Sequence, residues 1–375
     1  MGTDEMVFVL VVGSRLLVPL LVFRFPLPAV LAALVIDAAD QTIFERFTDF
    51  SLVNYQSYDK ALDIYYLSLA YLSTLRNWAH PFHATVAAVL WYYRLVGVLV
   101  FELTQERWVL LVFPNTFEYV FICYEAVRVA WNPATRIGPR GMIGLTAVIW
   151  VFVKLPQEWW IHVAQNDFTD FVREDVLGVD ADTPWSTAFA DNLWFVALMA
   201  ALAVLAVAGV RAVLRAAPAP DWSPSLDVDA HPVARADLRT LPPDRFWDID
   251  LLEKIVLVAL ITVIFAEVLA TGASPIQVMI GVAVIVVANA AVTQWLAKRG
   301  HAWTTTASLF VAMLVVNVGV VIAYLVVLAR GDRPANRAAT VFFILLLTLI
   351  VTCYDRYRPI RKARDRVPEP EPSLT

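Results

Sequence analysis

Apolar runs of about 20 residues recur along almost the whole chain, and short polar segments separate them. About 20 consecutive apolar residues are what an α-helix needs to cross the hydrocarbon core of a bilayer, where a helix satisfies its own backbone polar groups. Of the 375 residues, 59% are hydrophobic and 17% charged, whereas a soluble domain has roughly a quarter of its residues charged. We therefore predict an all-α, polytopic integral membrane helix bundle of about 10 or 11 transmembrane passes.

Eleven hydrophobic segments are candidates for these passes, with boundaries uncertain by several residues. Gly13, Pro19, Pro26 and Pro28 interrupt the first two, which are compatible with one broken helix, a re-entrant pair, an interfacial helix with one span, or two passes. The segments cover residues 7–23, 26–43, 60–76, 82–101, 107–129, 140–156, 190–212, 251–271, 275–296, 303–329 and 338–354.

Polarity divides the chain into four parts. Residues 1–215 carry many ionisable side chains in or beside apolar runs, whereas residues 248–355 hold Glu267 as the only charge well inside one. Prolines punctuate residues 216–247, and the end of the chain is rich in charge and proline. We predict a polar-cored N-terminal bundle (1–215), a cytoplasmic linker (216–247), an apolar C-terminal bundle (248–355) and a disordered cytoplasmic tail (356–375).

Arginine and lysine placement predicts the orientation. The tail after the last pass is rich in arginine, which is typical of a cytoplasmic segment, so eleven passes would place the N-terminus outside. The acidic start does not resemble a secretory signal. Arginine outnumbers lysine and alanine and valine abound, as in proteins of GC-rich bacteria. We expect a multi-pass protein of the bacterial cytoplasmic membrane.

Two pairs of aspartates stand at helical spacing. Asp37 and Asp40 are three residues apart, and Asp59 and Asp63 are four apart, so each pair shares a helix face. Carboxylate oxygens in such pairs suit Mg²⁺, Ca²⁺ or Na⁺. The alternatives are helix ends that enter water and, for Asp63, a salt bridge with an arginine of a neighbouring helix.

The fifth segment contains Asn115, Glu118 and Glu125 on nearly one line, directly after Pro114. A proline frees a backbone carbonyl in its turn, which a polar ligand or water can use. Ionisable residues inside a membrane are costly and often mark a functional path. We predict Asn115, Glu118 and Glu125 as ligand- or ion-binding residues, and the alternative for Glu125 is a pair with Arg128.

Arg15 and Arg94 lie in the middle of apolar runs and cannot shed their charge. Each therefore needs a carboxylate, carbonyl oxygens or an anionic ligand. We expect pairing with Asp37, Asp63, Glu102 or Glu118, or a clamp for an anion or phosphate.

Residues 157–173 alternate apolar and polar faces at helical spacing, which predicts an amphipathic helix on the outer surface. Glu158 and His162 share one of its faces and could relay protons. Lys154, close to Pro156, is expected to extend its ammonium outward to the interface.

These residues support three hypotheses for function. The first is a transporter or permease, proton- or cation-coupled, in which Asp37, Asp63, Glu118 and Glu125 bind the coupling ion and Arg15 and Arg94 face an anionic substrate. The second is a membrane-embedded enzyme that acts on a lipid or polyprenyl phosphate, with Mg²⁺ on the four aspartates. The third is a non-catalytic scaffold, so enzymatic activity stays open.

No Cys/His cluster suggests zinc or haem, so Mg²⁺ enters only with the enzyme hypothesis. We expect membrane lipids and a small ion, anionic small molecule or lipid as partners. We expect no nucleic acid, and an oligomer could form through the C-terminal bundle.

Overall fold

The computed structural model describes residues 2–49, 55–166, 168–231, 247–268, 274–298, 306–327 and 337–365, and within these ranges it contains helices and no strand. A long helix coincides with each of the eleven predicted segments. Seven of these helices are long and apolar enough to cross a membrane. The prediction of an all-α polytopic bundle is therefore confirmed. The eleven helices are α1 (Asp4–Phe23), α2 (Pro26–Phe47), α3 (Tyr55–Asn77), α4 (Pro81–Thr104), α5 (Trp108–Arg128), α6 (Pro139–Val163), α7 (Leu193–Ala216), α8 (Ile249–Val268), α9 (Pro275–Lys298), α10 (Thr306–Val327) and α11 (Arg337–Arg364).

The first two segments form two separate helices. The end of α1, Val18–Phe23, tightens into a 3₁₀-helix that contains Pro19. The chain then reverses at Arg24, and Pro26 occupies the first turn of α2, where its missing N–H costs no hydrogen bond. The prolines therefore mark a boundary between two passes.

Contacts between helix ends define the two faces of the N-terminal bundle. At one face, Arg128 Nη1 donates to the carbonyl of Asn77 at 3.2 Å, and Arg361 Nη2 donates to that of Pro81 at 2.9 Å. We call this end the carboxyl-terminal face. At the opposite, amino-terminal face, Arg107 Nη2 donates to the carbonyl of Ile161 at 3.1 Å.

Residues 217–231 form a strap across the carboxyl-terminal face, although the sequence predicted no packed structure in this linker. Trp222 Nε1 donates to the carbonyl of Arg128 at 3.0 Å, and the N–H of Val228 donates to that of Arg24 at 2.9 Å. Arginines outside the predicted linker hold the strap, which the composition of the linker alone could not reveal. Residues 232–246 of the predicted linker lie outside the described residues.

The C-terminal bundle differs from the prediction in two respects. Helix α11 continues to Arg364, so residues 356–364 are helical rather than a disordered tail, and residues 366–375 lie outside the described residues. The bundle also contains a buried charge, because Lys254 pairs with Asp355 at 2.7 Å. Both residues lie at the ends of the predicted apolar segments 251–271 and 338–354, where the apolar pattern gave no sign of burial.

The predicted surface helix over residues 157–173 is wrong. Helix α6 continues through Pro156 to Val163, and a separate short helix begins at Phe168. Two stretches of α6, Ile149–Lys154 and Trp159–Val163, are π-helical. Such widened turns absorb an extra residue per turn and are frequent at functional sites. In the last turns Glu158 and His162 are buried, whereas Trp159, Ile161 and Val163 stay exposed.

Candidate functional site

A cavity of about 300 Å³ lies inside the N-terminal bundle, between α2, α3, α4, α5 and α6. We call it the polar chamber, because most of its wall consists of ionisable and amide side chains. Its polar lining residues are Asp37, Gln41, Asp59, Lys60, Asp63, Tyr66, Arg94, Asn115, Glu118, Lys154, Gln157, Glu158 and His162.

The polar chamber lies in the half of the bundle nearer the amino-terminal face. Asp63 is eight residues from the start of α3, and Glu158 is five residues from the end of α6. At 1.5 Å per residue these positions are roughly 8 to 12 Å from the helix ends. The chamber therefore lies inside the bundle, close to the amino-terminal face and far from the carboxyl-terminal face.

Arg15 organises the aspartate end of the polar chamber. Its guanidinium hydrogen-bonds Asp37 and Asp40 of α2, and it approaches Asp59 at 3.2 Å and Asp63 at 3.3 Å on α3. Asp40 is fully buried. The predicted spacings explain the convergence, because each aspartate pair presents two carboxylates on one helix face toward α1.

Lys60 adds a second cation to this end. Its ammonium lies 2.7 Å from Asp59 and 3.3 Å from Asp63. Asp37, Asp59 and Asp63 also offer one oxygen each such that these atoms all lie within 4.8 Å of one another, a spacing at which three carboxylates can hold a metal ion.

Helix α6 supplies the opposite wall through three residues at four-residue steps. Lys154 approaches Glu118 at 3.7 Å, and its ammonium also lies 4.2 Å from the ring centroid of Tyr119. His162 Nε2 lies 3.0 Å from a carboxylate oxygen of Glu158. The prediction that Lys154 extends to the interface is wrong, because α6 does not end at Pro156 and Lys154 is buried.

Arg94 enters from α4 at the break in α5. Helix α5 is interrupted at Phe113, Pro114 and Asn115, and Arg94 Nη1 donates to the freed carbonyl of Phe113 at 2.9 Å. The closest approach of Arg94 to Glu158 is 4.0 Å. A carbonyl at this break thus binds a protein cation.

Asn115 and Glu118 follow this break. Asn115 Nδ2 donates to Glu118 at 3.1 Å, and the backbone N–H of Asn115 donates to Glu158 at 3.2 Å. The Tyr66 hydroxyl also donates to Glu118. The break therefore connects α3, α5 and α6 through one carboxylate network.

Three buried side chains in the chamber wall keep polar atoms without a hydrogen-bond partner among the residues that the structure describes: Arg94 Nε, Asn115 Oδ1 and His162 Nδ1. Each of these side chains is at least nine-tenths buried. Buried polar groups are nearly always satisfied, and exceptions call for an explanation such as a ligand. These three atoms themselves have almost no accessible surface, so a molecule in the chamber would reach them only after the surrounding side chains move.

A layer of packed aromatic rings separates the chamber from the carboxyl-terminal face. Trp78 stacks on Tyr124 at 3.7 Å between ring centroids and on Phe121 at 6.0 Å, and all three side chains are almost fully buried. Glu125 accepts a hydrogen bond from Trp78 Nε1 at 2.8 Å and pairs with Arg128. Glu125 therefore belongs to this layer and does not line the polar chamber.

Of the residues predicted from sequence, Arg15, Asp37, Asp40, Asp59 and Asp63 meet in one network, and Arg94, Asn115 and Glu118 line the same chamber. Sequence reasoning missed Lys60 and Tyr66 as members of the site. For Tyr66, the signal was its place on the Asp59–Asp63 face, one turn after Asp63. Comparison with protein-family models, with curated proteins and with solved structures found no match.

Proposed function

We propose that the protein is an integral membrane transporter or permease, and that its polar chamber binds a cation or protons together with a small polar solute. One observation carries this proposal. The chamber and its Arg15 network contain six carboxylates against four arginine or lysine side chains. The six acids are Asp37, Asp40, Asp59, Asp63, Glu118 and Glu158, and the four bases are Arg15, Lys60, Arg94 and Lys154.

An excess of two buried carboxylates is costly unless positive charge compensates it. Two protons, a divalent cation, or a cationic group of the solute would each restore neutrality. A site whose charge balance depends on such a partner couples cation binding to solute binding, which is the basic requirement of a coupled carrier.

The aromatic layer supports the same proposal. It lies between the chamber and the carboxyl-terminal face, so in this proposal it is the closed gate of a carrier that admits its solute from the opposite face. Opening this gate would require Trp78 to leave Tyr124, and Glu125 hydrogen-bonds Trp78 directly. In this proposal Glu125 acts on the gate rather than on the bound ion.

Currents from proteoliposomes on a solid-supported membrane test the proposal across many candidate ions and solutes. Jumps in pH, in Na⁺ and in a panel of amino acids, carboxylates and polyamines are applied to the wild-type protein, to Asp63→Asn and to Asp182→Asn, whose side chain is exposed. We expect at least one jump to give a transient current that Asp63→Asn abolishes and Asp182→Asn keeps. The same currents in both variants, or no current at all, would refute the proposal.

The second candidate is a metal-dependent enzyme that acts on a lipid or polyprenyl phosphate. The three aspartate oxygens within 4.8 Å favour it, and Lys60, Arg94 and Lys154 could hold a phosphate. It ranks second because Arg15 already contacts those aspartates, so a metal ion would share its ligands with a fixed positive charge. A scaffold is less favoured, since the cavity and its unpartnered polar atoms have no use in one.

A further inference from the structure

The strap over the carboxyl-terminal face carries three acidic side chains, and each of them pairs with an arginine of the N-terminal bundle. The pairs are Asp221 with Arg136, Asp227 with Arg24, and Asp229 with Arg76. One arginine follows α5, one lies between α1 and α2, and one lies in the last turn of α3. Charge therefore fixes the strap at three separate points of this face.

These ion pairs are accessible to solvent. The side chain of Arg24 is 63% exposed, that of Asp229 is 53% exposed and that of Arg136 is 40% exposed. Salt screens such exposed pairs, whereas it has little effect on buried ones. Apolar anchoring of the strap is limited, since Val228 is buried but Leu226 is 52% exposed. The attachment of the strap is therefore expected to weaken as the salt concentration rises.

The strap lies directly over the ion pair of Glu125 and Arg128. A gap of about 10 Å³ separates them, with Glu125 and Arg128 on one side and Ser225, Val228 and His231 on the other. This gap has room for about one water molecule. Glu125 and Arg128 are buried, although they lie in the last turns of α5 at the carboxyl-terminal face. The strap thus covers this pair.

A chain of contacts joins the strap to the aromatic layer. Trp222 Nε1 of the strap donates to the carbonyl of Arg128 at 3.0 Å, and the Arg128 side chain pairs with Glu125. Glu125 in turn accepts a hydrogen bond from Trp78 Nε1 at 2.8 Å, and Trp78 stacks on Tyr124. Glu125 and Arg128 therefore have no room to turn outward, away from Trp78, while the strap is in place.

We propose that the strap is a lid that keeps the aromatic layer closed, and that rising ionic strength at the carboxyl-terminal face releases it. This inference rests on the proposed function, in which the aromatic layer is the gate of a carrier. Screening weakens the three ion pairs together, the strap leaves Arg128, and water reaches the pair of Arg128 with Glu125. Trp78 can then separate from Tyr124. Opening of the gate thus depends on the salt concentration at this face.

Hydrogen exchange of the wild-type protein at low and high KCl tests the release of the strap. The amides of Asp221 and Ser225 donate to the carbonyls of Ala130 and Val129, both at 3.0 Å. From about 0.02 M to about 0.5 M KCl the Debye length falls from roughly 20 Å to roughly 4 Å. We expect both amides to exchange roughly tenfold faster at high salt, since three exposed pairs are weakened. Unchanged exchange would overturn the proposal.

Matched variants test whether the three ion pairs cause this dependence. Asp221→Asn/Asp227→Asn/Asp229→Asn should exchange quickly at both salt concentrations, whereas Asp182→Asn, at an exposed position outside the strap, should keep the wild-type dependence. A triple variant that responds to salt as the wild-type protein does would contradict the role of the pairs.

The same exchange experiment tests the effect on the gate without any substitution. The amide of Trp78 donates to the carbonyl of Thr74 at 2.9 Å and reports on the aromatic layer. We expect this amide also to exchange faster at high salt. Faster exchange of the strap with no change at Trp78 would show that the strap moves without opening the gate, and would overturn the proposal.

Thiol labelling measures access through the gate. Ala70 of α3 is buried, shares a helix face with Asp63 and Tyr66, and lies two turns before Trp78. In a protein whose Cys123 and Cys353 are replaced by alanine, a methanethiosulfonate added at the carboxyl-terminal face should label Ala70→Cys roughly tenfold faster at high salt. Equal rates at both salt concentrations would contradict the lid.

Two tryptophan variants in the Ala70→Cys background complete the labelling experiment. Trp222→Phe keeps a ring but removes the hydrogen bond to Arg128, so it should speed labelling at low salt, whereas Trp108→Phe, exposed on α5, should not. A Trp222→Phe protein labelled as slowly as Trp108→Phe would count against the lid. Labelling and exchange do not require transport, so their failure leaves the current assay intact, and absent currents would refute the carrier alone.

Discussion

Arg15 of α1 lies 3.3 Å from Asp63 of α3, although 48 residues separate them in the chain. The same guanidinium contacts Asp37, Asp40 and Asp59, so one buried cation links the first three helices. This network holds the aspartate end of the polar chamber in place.

Replacement of Arg15 tests how far the chamber depends on it. Arg15→Gln would leave four aspartates clustered without their shared cation, and removal of one partner from a buried ion network typically costs about 3–5 kcal/mol. We expect a loss of that size in the free energy of unfolding, measured in mixed micelles. Arg211→Gln, an exposed arginine at the end of α7, should change it little. A small change in the free energy of unfolding of both variants would mean that Arg15 does not stabilise the aspartate cluster.

Gly97 permits the break in α5 that positions Asn115. A Cβ atom at Gly97 would lie 2.1 Å from Cβ of Phe113, so Gly97→Ala must push the break away from α4. Overpacking of this kind typically costs about 1–3 kcal/mol. We expect Gly97→Ala to have a lower melting temperature than the wild-type protein. We also expect it to give smaller solute-induced currents in proteoliposomes.

The control for Gly97→Ala is Gly209→Ala on α7, since no atom lies within 4 Å of the position that its Cβ would take. That variant should melt at the wild-type temperature or slightly above it, because alanine favours a helix over glycine. Equal melting temperatures for both variants would show that the contact between α4 and α5 can relax without cost.

The strap makes the carboxyl-terminal face sensitive to acid. Hydrogen bonds from Arg24 lower the pKa of Asp227, and those from Arg136 lower the pKa of Asp221. A carboxyl whose pKa is lower in the folded state stabilises the fold above its unfolded pKa of about 3.9. That contribution is lost as the pH falls through the lowered value.

Hydrogen exchange at residues 217–231 measures this dependence. We expect the amide of Val228, which donates to Arg24, to be protected at neutral pH and to lose protection below about pH 4. In the double variant Asp221→Asn/Asp227→Asn, the amide of Val228 should be weakly protected from exchange at every pH. Protection that stays constant down to pH 2 in the wild-type protein would contradict a role for these pairs.

Thermal melting with divalent metal separates a metal-dependent enzyme from a carrier driven by protons alone. Mg²⁺ or Mn²⁺ that binds Asp37, Asp59 and Asp63 stabilises the protein by mass action, and excess chelator reverses the gain. Such a shift, absent in Asp59→Asn and present in Asp182→Asn, would favour the enzyme. A carrier driven by protons alone should show no shift with metal.

The sequence predicted the helices well because a membrane span needs a long apolar run, and each run here is bounded by proline, glycine or charge. The helical spacing placed Asp37 with Asp40 and Asp59 with Asp63 on common helix faces, and pairing of Arg15 with an acid such as Asp37 or Asp63 was one of two alternatives; that one guanidinium contacts all four aspartates was not predicted. The sequence could not place Lys154, Glu158 and His162, because Pro156 suggested a helix end. Helix α6 is π-helical on both sides of this proline, and helical spacing in the sequence does not reveal π-helical turns.

The strap was also beyond the sequence. Asp221 and Asp227 meet Arg136 and Arg24, partners 85 and 203 residues away. No local spacing identifies such pairs. These ion pairs can be identified only from the folded structure, in which the helix ends lie at one face.

Thiol labelling of the polar chamber tests the central proposal most directly, namely that residues of five helices enclose a water-accessible site. In a protein whose Cys123 and Cys353 are replaced by alanine, Ala38→Cys lines the chamber and Val204→Cys faces outward from α7. A membrane-impermeant methanethiosulfonate reacts with the thiolate and so requires water at the site. We expect it to label Ala38→Cys from the side of the amino-terminal face only, and to leave Val204→Cys unlabelled. An Ala38→Cys protein that resists the reagent from both sides, or reacts no faster than Val204→Cys, would contradict the existence of the chamber as a binding site.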